Sequence, residues 1–144
     1  MDLGIFTNTA LVGDVKLGLE LGPGCGVVGI EKAAQAFTTF FLTQRGTNTY
    51  DPTFGSPFIG DMLTGGIRTD RDIQAAFGLA VSLFLQYNTL HTVVSTPADE
   101  QITSVTLISS SIDAVAEKLT LYVQIATAAG SSRQITLPIP MVAV

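Results

Sequence analysis

Acidic side chains are the residues of this sequence that come nearest to a catalytic set. A glycoside hydrolase needs two facing carboxyl groups about 5–9.5 Å apart, and the general acid of the pair needs a raised pKa. A raised pKa requires burial, yet no glutamate falls in an apolar run. A hydrolase therefore stays the alternative hypothesis. Its candidate residues are Asp51, Asp61, Asp70, Asp72, Asp99 and Glu100.

Nucleophilic and metal-dependent chemistry lack the residues that they need. His91 is the only histidine and Cys25 the only cysteine, so they cannot supply the ligand set of a zinc site. No Gly-x-Ser-x-Gly elbow is present, and the glycine turn at 22–26 lacks the lysine of a Walker motif. We expect no enzymatic activity, no metal and no cofactor, and a small-molecule-binding module has no fingerprint here.

The composition points to a protein that other chains cover. Only 13% of the 144 residues are charged, whereas 47% are hydrophobic. The charged fraction is about half that of average soluble domains, so part of the surface is expected to lie in contacts. The net charge is −5 and the cations are scattered from Lys16 to Arg133, whereas nucleic-acid binding needs clustered cations. We therefore expect no nucleic acid as a partner. We expect no membrane either, because no apolar run approaches the ~20 residues of a membrane span.

Two stretches have the period of amphipathic helices. Ile30 to Thr43 places three phenylalanines on one face, and a second helix begins at Thr69 or Asp70 and is expected to fray near Asn88. Gly78 interrupts the second helix, where we expect a neighbouring backbone to pass close. The long connection 44–66 has apolar anchors, and its segment 58–63 is predicted to form a helical turn.

The end of the chain changes to a period of two, which predicts strands. Candidate strands are Ile102–Ser109, Leu119–Thr127 and Arg133–Met141, with 110–118 as a connector. Proline cannot donate to a ladder, so Pro138 and Pro140 predict that the last strand lies at an edge or peels away from the sheet. Residues 1–26 are expected to form an extended segment, with Val15, Leu17, Leu19 and Leu21 alternating. The order predicts one α+β domain over 1–144, with the core in 27–144 and two main helices on a three-stranded antiparallel sheet.

Two motifs around the first helix resemble a known family. Leu42-Thr43-Gln44-Arg45-Gly46 ends the helix, and Asp51-Pro52-Thr53-Phe54-Gly55-Ser56 lies in the long loop. With Gly29-Ile30-Glu31 and Gln35 at the helix start, they resemble the small baseplate wedge subunit, or sheath initiator, of contractile phage tails, type VI secretion baseplates and contractile bacteriocins. The chain departs from the family at Thr47, where an acidic residue is usual, and at 97–101, which lacks a Glu-Pro-Arg triplet, so no function of that triplet is carried over.

The resemblance implies a structural role in a virion. It implies a subunit, assembled in the host cytoplasm, that docks on the wedge proteins and the tail tube with six-fold symmetry. It also implies that arms of the first sheath ring add strands to an open edge of its sheet. The residues expected to bind the arms are Leu119, Leu121, Val123, Ile125, Arg133, Ile135 and Leu137. The residues of the family-motif loop are Thr43, Arg45, Gly46, Asp51, Pro52, Phe54 and Gly55. Phe54 is expected to anchor the loop, and Gly55 to allow a close approach of the backbone. Arg45 either pairs with Asp51 or with a partner carboxylate, or is a solvated cation at the helix end that the dipole favours.

Overall fold

The N-terminal part of the chain contributes short antiparallel strand pairs. The computed structural model describes residues 2–3, 6–8, 15–17 and 26–141. The first strand pairs with the fourth and the second with the third. The extended segment is confirmed where it is described, whereas Leu19, Leu21 and the glycine turn at 22–25 lie outside the described residues. The strands are β1 (Asp2–Leu3), β2 (Phe6–Asn8), β3 (Val15–Leu17) and β4 (Gly26–Val27).

Helix α1 (Ile30–Leu42) buries its aromatic stripe, as the sequence predicts. Phe37 and Phe41 are fully buried and stack on each other with ring centroids 5.6 Å apart. Glu31 in the first turn complements the helix dipole. All three phenylalanines of the predicted face are buried, and Ala33 and Ala34 are buried with them. The helix therefore packs by the 3.6-residue periodicity of its sequence.

Helix α3 (Asp70–His91) begins with a capping box, which the sequence indicated at Thr69 or Asp70. The Thr69 hydroxyl accepts a hydrogen bond from the Asp72 amide (3.2 Å), and the Asp72 carboxylate accepts one from the Thr69 amide (2.9 Å). Hydrogen bonding to the Thr69 side chain, and then to the Arg68 and Thr69 amides, holds the pKa of the Asp72 carboxyl below its usual value. The helix ends at His91, one turn beyond the expected fraying point. The intervening α2 (Phe58–Leu63) confirms the predicted helical turn.

The C-terminal sheet has three antiparallel strands in the order β5 (Ile102–Asp113), β6 (Lys118–Thr127), β7 (Ser132–Pro140). The predicted connector at 110–118 is wrong, because residues 110–113 continue the ladder opposite 118–121. Only residues 114–117 connect the strands, in a turn started by the Asp113 carboxylate, which accepts from two following amides at 3.0 Å. The α+β class, with helices on one face of the sheet, is confirmed.

Main-chain hydrogen bonds fix which way each amide of the sheet faces. The Thr127 amide donates to the Ser131 carbonyl (2.9 Å) at the β6–β7 turn, and the Ala128 amide donates to the Gln101 carbonyl (2.8 Å) on the β5 side. Bonded and non-bonded pairs alternate along antiparallel strands. Odd-numbered residues of β6 therefore bond to β7 and even-numbered residues bond to β5.

The edge assignment of the sequence is wrong for one strand. β6 is central and is bonded on both sides, so Leu119, Leu121, Val123 and Ile125 cannot lie on an edge that accepts a new strand. The period of two fixes the face of each residue but not the order of the strands. β7 does lie at an edge, as its prolines predict.

One hydrophobic cluster joins the helices to the inner face of the sheet. Its aromatic centre contains Phe37, Phe41, Phe77 and Phe84. The expected close approach of a backbone to Gly78 is absent: in the described part of the chain no heavy atom lies within 4 Å of the position that its Cβ would occupy, outside its own helix. None of the described helices is long and apolar enough to cross a membrane.

Candidate partner-binding site

The family-motif loop between α1 and α2 is fastened where its two ends meet. The Ser56 amide donates to the Thr43 carbonyl (2.9 Å), and the Arg45 amide donates to the Ser56 carbonyl (3.2 Å). The buried Ser56 hydroxyl also donates to the Phe41 carbonyl (2.7 Å). Because its ends are joined by main-chain bonds, the loop is a closed surface loop and not a flexible connection.

Gly55 is required for this closure. Its φ of +111° lies in a region that L side chains rarely adopt. A Cβ there would lie 2.6 Å from the Thr43 carbonyl oxygen and 2.9 Å from the Arg45 nitrogen. The close approach expected from the sequence is thus confirmed. Gly46 also has a positive φ, of +86°, but has open space around it.

Asp51 organises the tip of the loop. Its carboxylate accepts hydrogen bonds from the Thr53 hydroxyl (2.6 Å) and from the Tyr87 hydroxyl of α3 (2.9 Å). These two bonds, the Thr53 bond first, hold the pKa of Asp51 below its usual value. The Asp51 carbonyl accepts from the Phe54 amide (3.1 Å) across a turn with Pro52 at its second position. Asp51 is therefore a structural acceptor that joins the loop to α3.

Arg45 does not pair with Asp51 in the described chain. Its side chain is exposed, and the ion pairs of the described residues are elsewhere. Pairing with a carboxylate of another chain stays a prediction.

An aromatic contact completes the attachment of the loop. The Phe54 ring meets Phe40 and Tyr87 edge-on, with centroids 5.3 and 5.4 Å away. Tyr87 in turn stacks on His91 at 4.0 Å. The anchoring role predicted for Phe54 is confirmed, but sequence reasoning missed Tyr87 and Ser56. Tyr87 lies three residues after the buried Phe84, so its position on the inner face of α3 was the available signal.

Two of the candidate carboxylates, Asp51 and Asp72, accept structural hydrogen bonds. The pKa values of Asp51 and Asp72 are both lowered, whereas a general acid needs a raised pKa. Asp72 and the Asp51 partner Tyr87 are about 15 residues apart on α3, or roughly 22 Å along its axis, well beyond a catalytic pair. Glu100 pairs with Lys32 (3.0 Å) near the start of α1. Among the described residues, no group of three His, Cys, Asp or Glu side chains could hold a metal ion.

Most residues predicted to bind a partner strand through the sheet lie in the core. Ile135 and Leu137 are buried on the inner face of β7. The four residues predicted on β6 are buried on its inner face too: Leu119, Leu121, Val123 and Ile125. Arg133 forms an ion pair with Glu31 in the first turn of α1. These side chains shape the sheet, so a partner strand can reach only the main-chain groups of the two outer strands.

The β7 edge has few donors to offer. Its even-numbered residues turn their N–H and C=O groups away from β6, because the odd-numbered ones bond to it. Pro138 and Pro140 lie at even positions and have no N–H. β3 also runs close to β7 without pairing with it.

At the β5 edge no strand of the described ranges is paired, and β5 contains no proline. Alternation along the β5–β6 ladder leaves Val105, Leu107, Ser110 and Ile112 with their amides facing outward. The strand has register irregularities between 102 and 104 and between 107 and 109. Beside it, a groove of about 310 Å³ separates β5 from α3.

Comparison with known proteins adds no family. No protein-family model matches the chain, and no curated protein is significantly similar to it in sequence. Function therefore has to be inferred from the residues and their geometry.

Proposed function

We propose that this chain is a structural subunit of the baseplate of a contractile tail. It docks on the wedge proteins and the tube, and it nucleates polymerisation of the sheath by offering a sheet edge to arms of the first sheath ring. One observation carries this proposal: the outward main-chain groups of the C-terminal sheet have no strand paired with them in the described chain. Strand addition uses such groups and tolerates wide changes of sequence.

Two further features support a role as a scaffold. The motif loop is held rigidly by the Ser56 bonds and the Asp51–Tyr87 bond, as suits a docking surface. Large apolar side chains are exposed at the end of α3, where Leu90, Val93 and Val94 are 82%, 61% and 106% exposed. Contiguous exposed apolar residues mark interaction sites, in agreement with the low charged fraction of the sequence.

Purified tails from the source of this chain test the proposal. The chain is expected in about six or twelve copies per particle, following a six-fold assembly, and its deletion is expected to leave tubes without sheath. Restoring the gene on a plasmid is the control. Full-length sheathed tails made without the chain would contradict the proposal.

Incubation of the purified chain with peptidoglycan tests the hydrolase alternative. The positive result would be a release of sugar fragments by the wild type that Asp51→Asn abolishes.

A further inference from the structure

Strand β5 has the richer open edge of the two. Its outward amides at Val105, Leu107, Ser110 and Ile112 can all donate. Up to Asp113 the strand carries no charged residue and no proline, which are two of the means that blunt an edge. Its two register irregularities interrupt the ladder but leave these outward amides in place. The opposite edge at β7 has lost the donors of Pro138 and Pro140. An incoming strand therefore finds its more complete set of partners at β5.

The groove beside β5 has room for a side chain that none of the described residues supplies. It is lined from α3 by Gln74, Phe77, Gly78 and Val81, and from β5 by residues 105–110. Glycine weakens a helix relative to alanine, yet no neighbour in the described chain requires a glycine at position 78. The space over Gly78 is consistent with an occupant from outside the described residues.

The lining of the groove defines the chemistry of that occupant. None of the lining residues is charged, so a charged side chain would lose its hydration without gaining a partner. Side chains of an added strand alternate between the two faces of the sheet. On the inner face they would meet Phe77 and Val81, and on the outer face they would meet solvent.

We propose that β5 is the edge that accepts a foreign strand, and that the groove over Gly78 takes one apolar side chain of that strand. The occupant is an extended, uncharged segment of a different chain with alternating apolar residues. Its identification as an arm of the sheath subunit rests on the proposed function. A second copy of this chain fits less well, because the inner-facing Val105 and Leu107 of its own β5 are already packed in its core.

Filling the groove tests the inference without damaging the fold. Gly78→Leu places a side chain in the groove and removes a helix-weakening glycine, so the melting temperature of the isolated chain should rise. The yield of sheathed tails should fall about tenfold or more, as expected from losing over ~1.4 kcal/mol of binding. Ala75→Leu is the matched control, since it adds leucine at an exposed site of α3 outside the groove. Normal sheaths with Gly78→Leu would overturn the inference.

Two proline variants compare the edges directly. Ser110→Pro removes an outward N–H of β5, and Thr136→Pro removes one of β7. Neither amide belongs to a ladder within the sheet, so both variants should fold. The inference expects Ser110→Pro to block sheath growth and Thr136→Pro to permit it. The reverse result would assign the edge to β7 and leave the proposed function standing. Wild-type tails that contain no copy of this chain would contradict the proposed function itself.

Hydrogen exchange identifies the occupant. In the isolated chain the amides of Leu107 and Ser110 should exchange fast, while Thr106 and Ser111, which face β6, should be protected. Purified sheath protein added to tail baseplates should protect Leu107 and Ser110. Protection of these two amides in the isolated chain, whether constant or rising with protein concentration, would show that its own residues or a second copy fill the edge, and would overturn the inference.

Discussion

At the scale of single residues, the motif loop depends on polar groups that meet across long sequence separations. The Tyr87 hydroxyl reaches Asp51 across 36 positions, and the Ser56 hydroxyl reaches the Phe41 carbonyl across 15. Burial raises the pKa of Tyr87, so the phenol remains protonated and donates to a carboxylate whose pKa is lowered. The loop geometry is therefore set by a few specific bonds, each of which can be removed by one substitution.

Gly55→Ala should open the base of the loop. The new methyl group would sit 2.6 Å from the Thr43 carbonyl oxygen at a φ of +111°, and a residue held in such a region costs roughly 1–3 kcal/mol. We expect a loss of at least this size in the free energy of unfolding, measured by urea titration. Gly46→Ala is the control, because its φ is also positive but its Cβ has open space, and its loss should be smaller. Equal losses for the two variants would contradict the role of the close contact.

The Asp51 hydrogen bonds should make stability depend on acid. A carboxyl whose pKa is lower in the folded state stabilises the fold above the unfolded value of 3.8, and this contribution is lost as the pH falls through the folded pKa. Urea unfolding at about pH 6 and about pH 3 should show a smaller loss of stability for Asp51→Asn than for the wild type. Asp72 acts in the same direction, so part of the dependence should remain. If the free energy of unfolding falls by the same amount between the two pH values in Asp51→Asn and in the wild type, Asp51 makes no such contribution.

At the scale of elements, the two long helices were predictable and the arrangement of the strands was not. The stripe of α1 and the capping signal of α3 are local, and both elements form where the sequence indicates. The serine-rich start of the predicted connector instead extends β5, because 110–113 gain ladder partners on β6. Strand order also depends on contacts between distant segments, so the sequence alone could not exclude β6 as an edge.

Val123→Pro should disrupt the centre of the sheet. Val123 is fully buried, and its odd position directs its amide to β7. Proline would remove that bond and part of the packing, for a combined cost of at least about 3 kcal/mol, and sheath assembly should fail with it. Gln134→Pro is the matched control because its amide faces the open side of β7. Circular dichroism melts of the two variants should differ strongly, and similar melting would mean that the ladder parity is wrong.

At the scale of the whole molecule, one layer of helices covers one face of the sheet and leaves the other face polar. Along much of the three strands the exposed residues of that face are uncharged, among them Thr106, Tyr122, Gln124 and Gln134. The sequence predicted the class, the main helices and the core-facing residues from periodicity alone. It could not predict the Asp51–Tyr87 contact or the groove over Gly78, because both depend on how α3 packs against its neighbours.

The prolines of β7 make the two edges of the sheet unequal in their outward N–H donors. A sheet that accepts strands equally at both edges could form an open-ended ribbon, because each added chain would offer a new edge to the next chain. Pro138 and Pro140 withhold donors on one flank while the other stays receptive. If β5 accepts a foreign strand as we propose, further strands would therefore add at the β5 flank of this subunit in preference to its β7 flank.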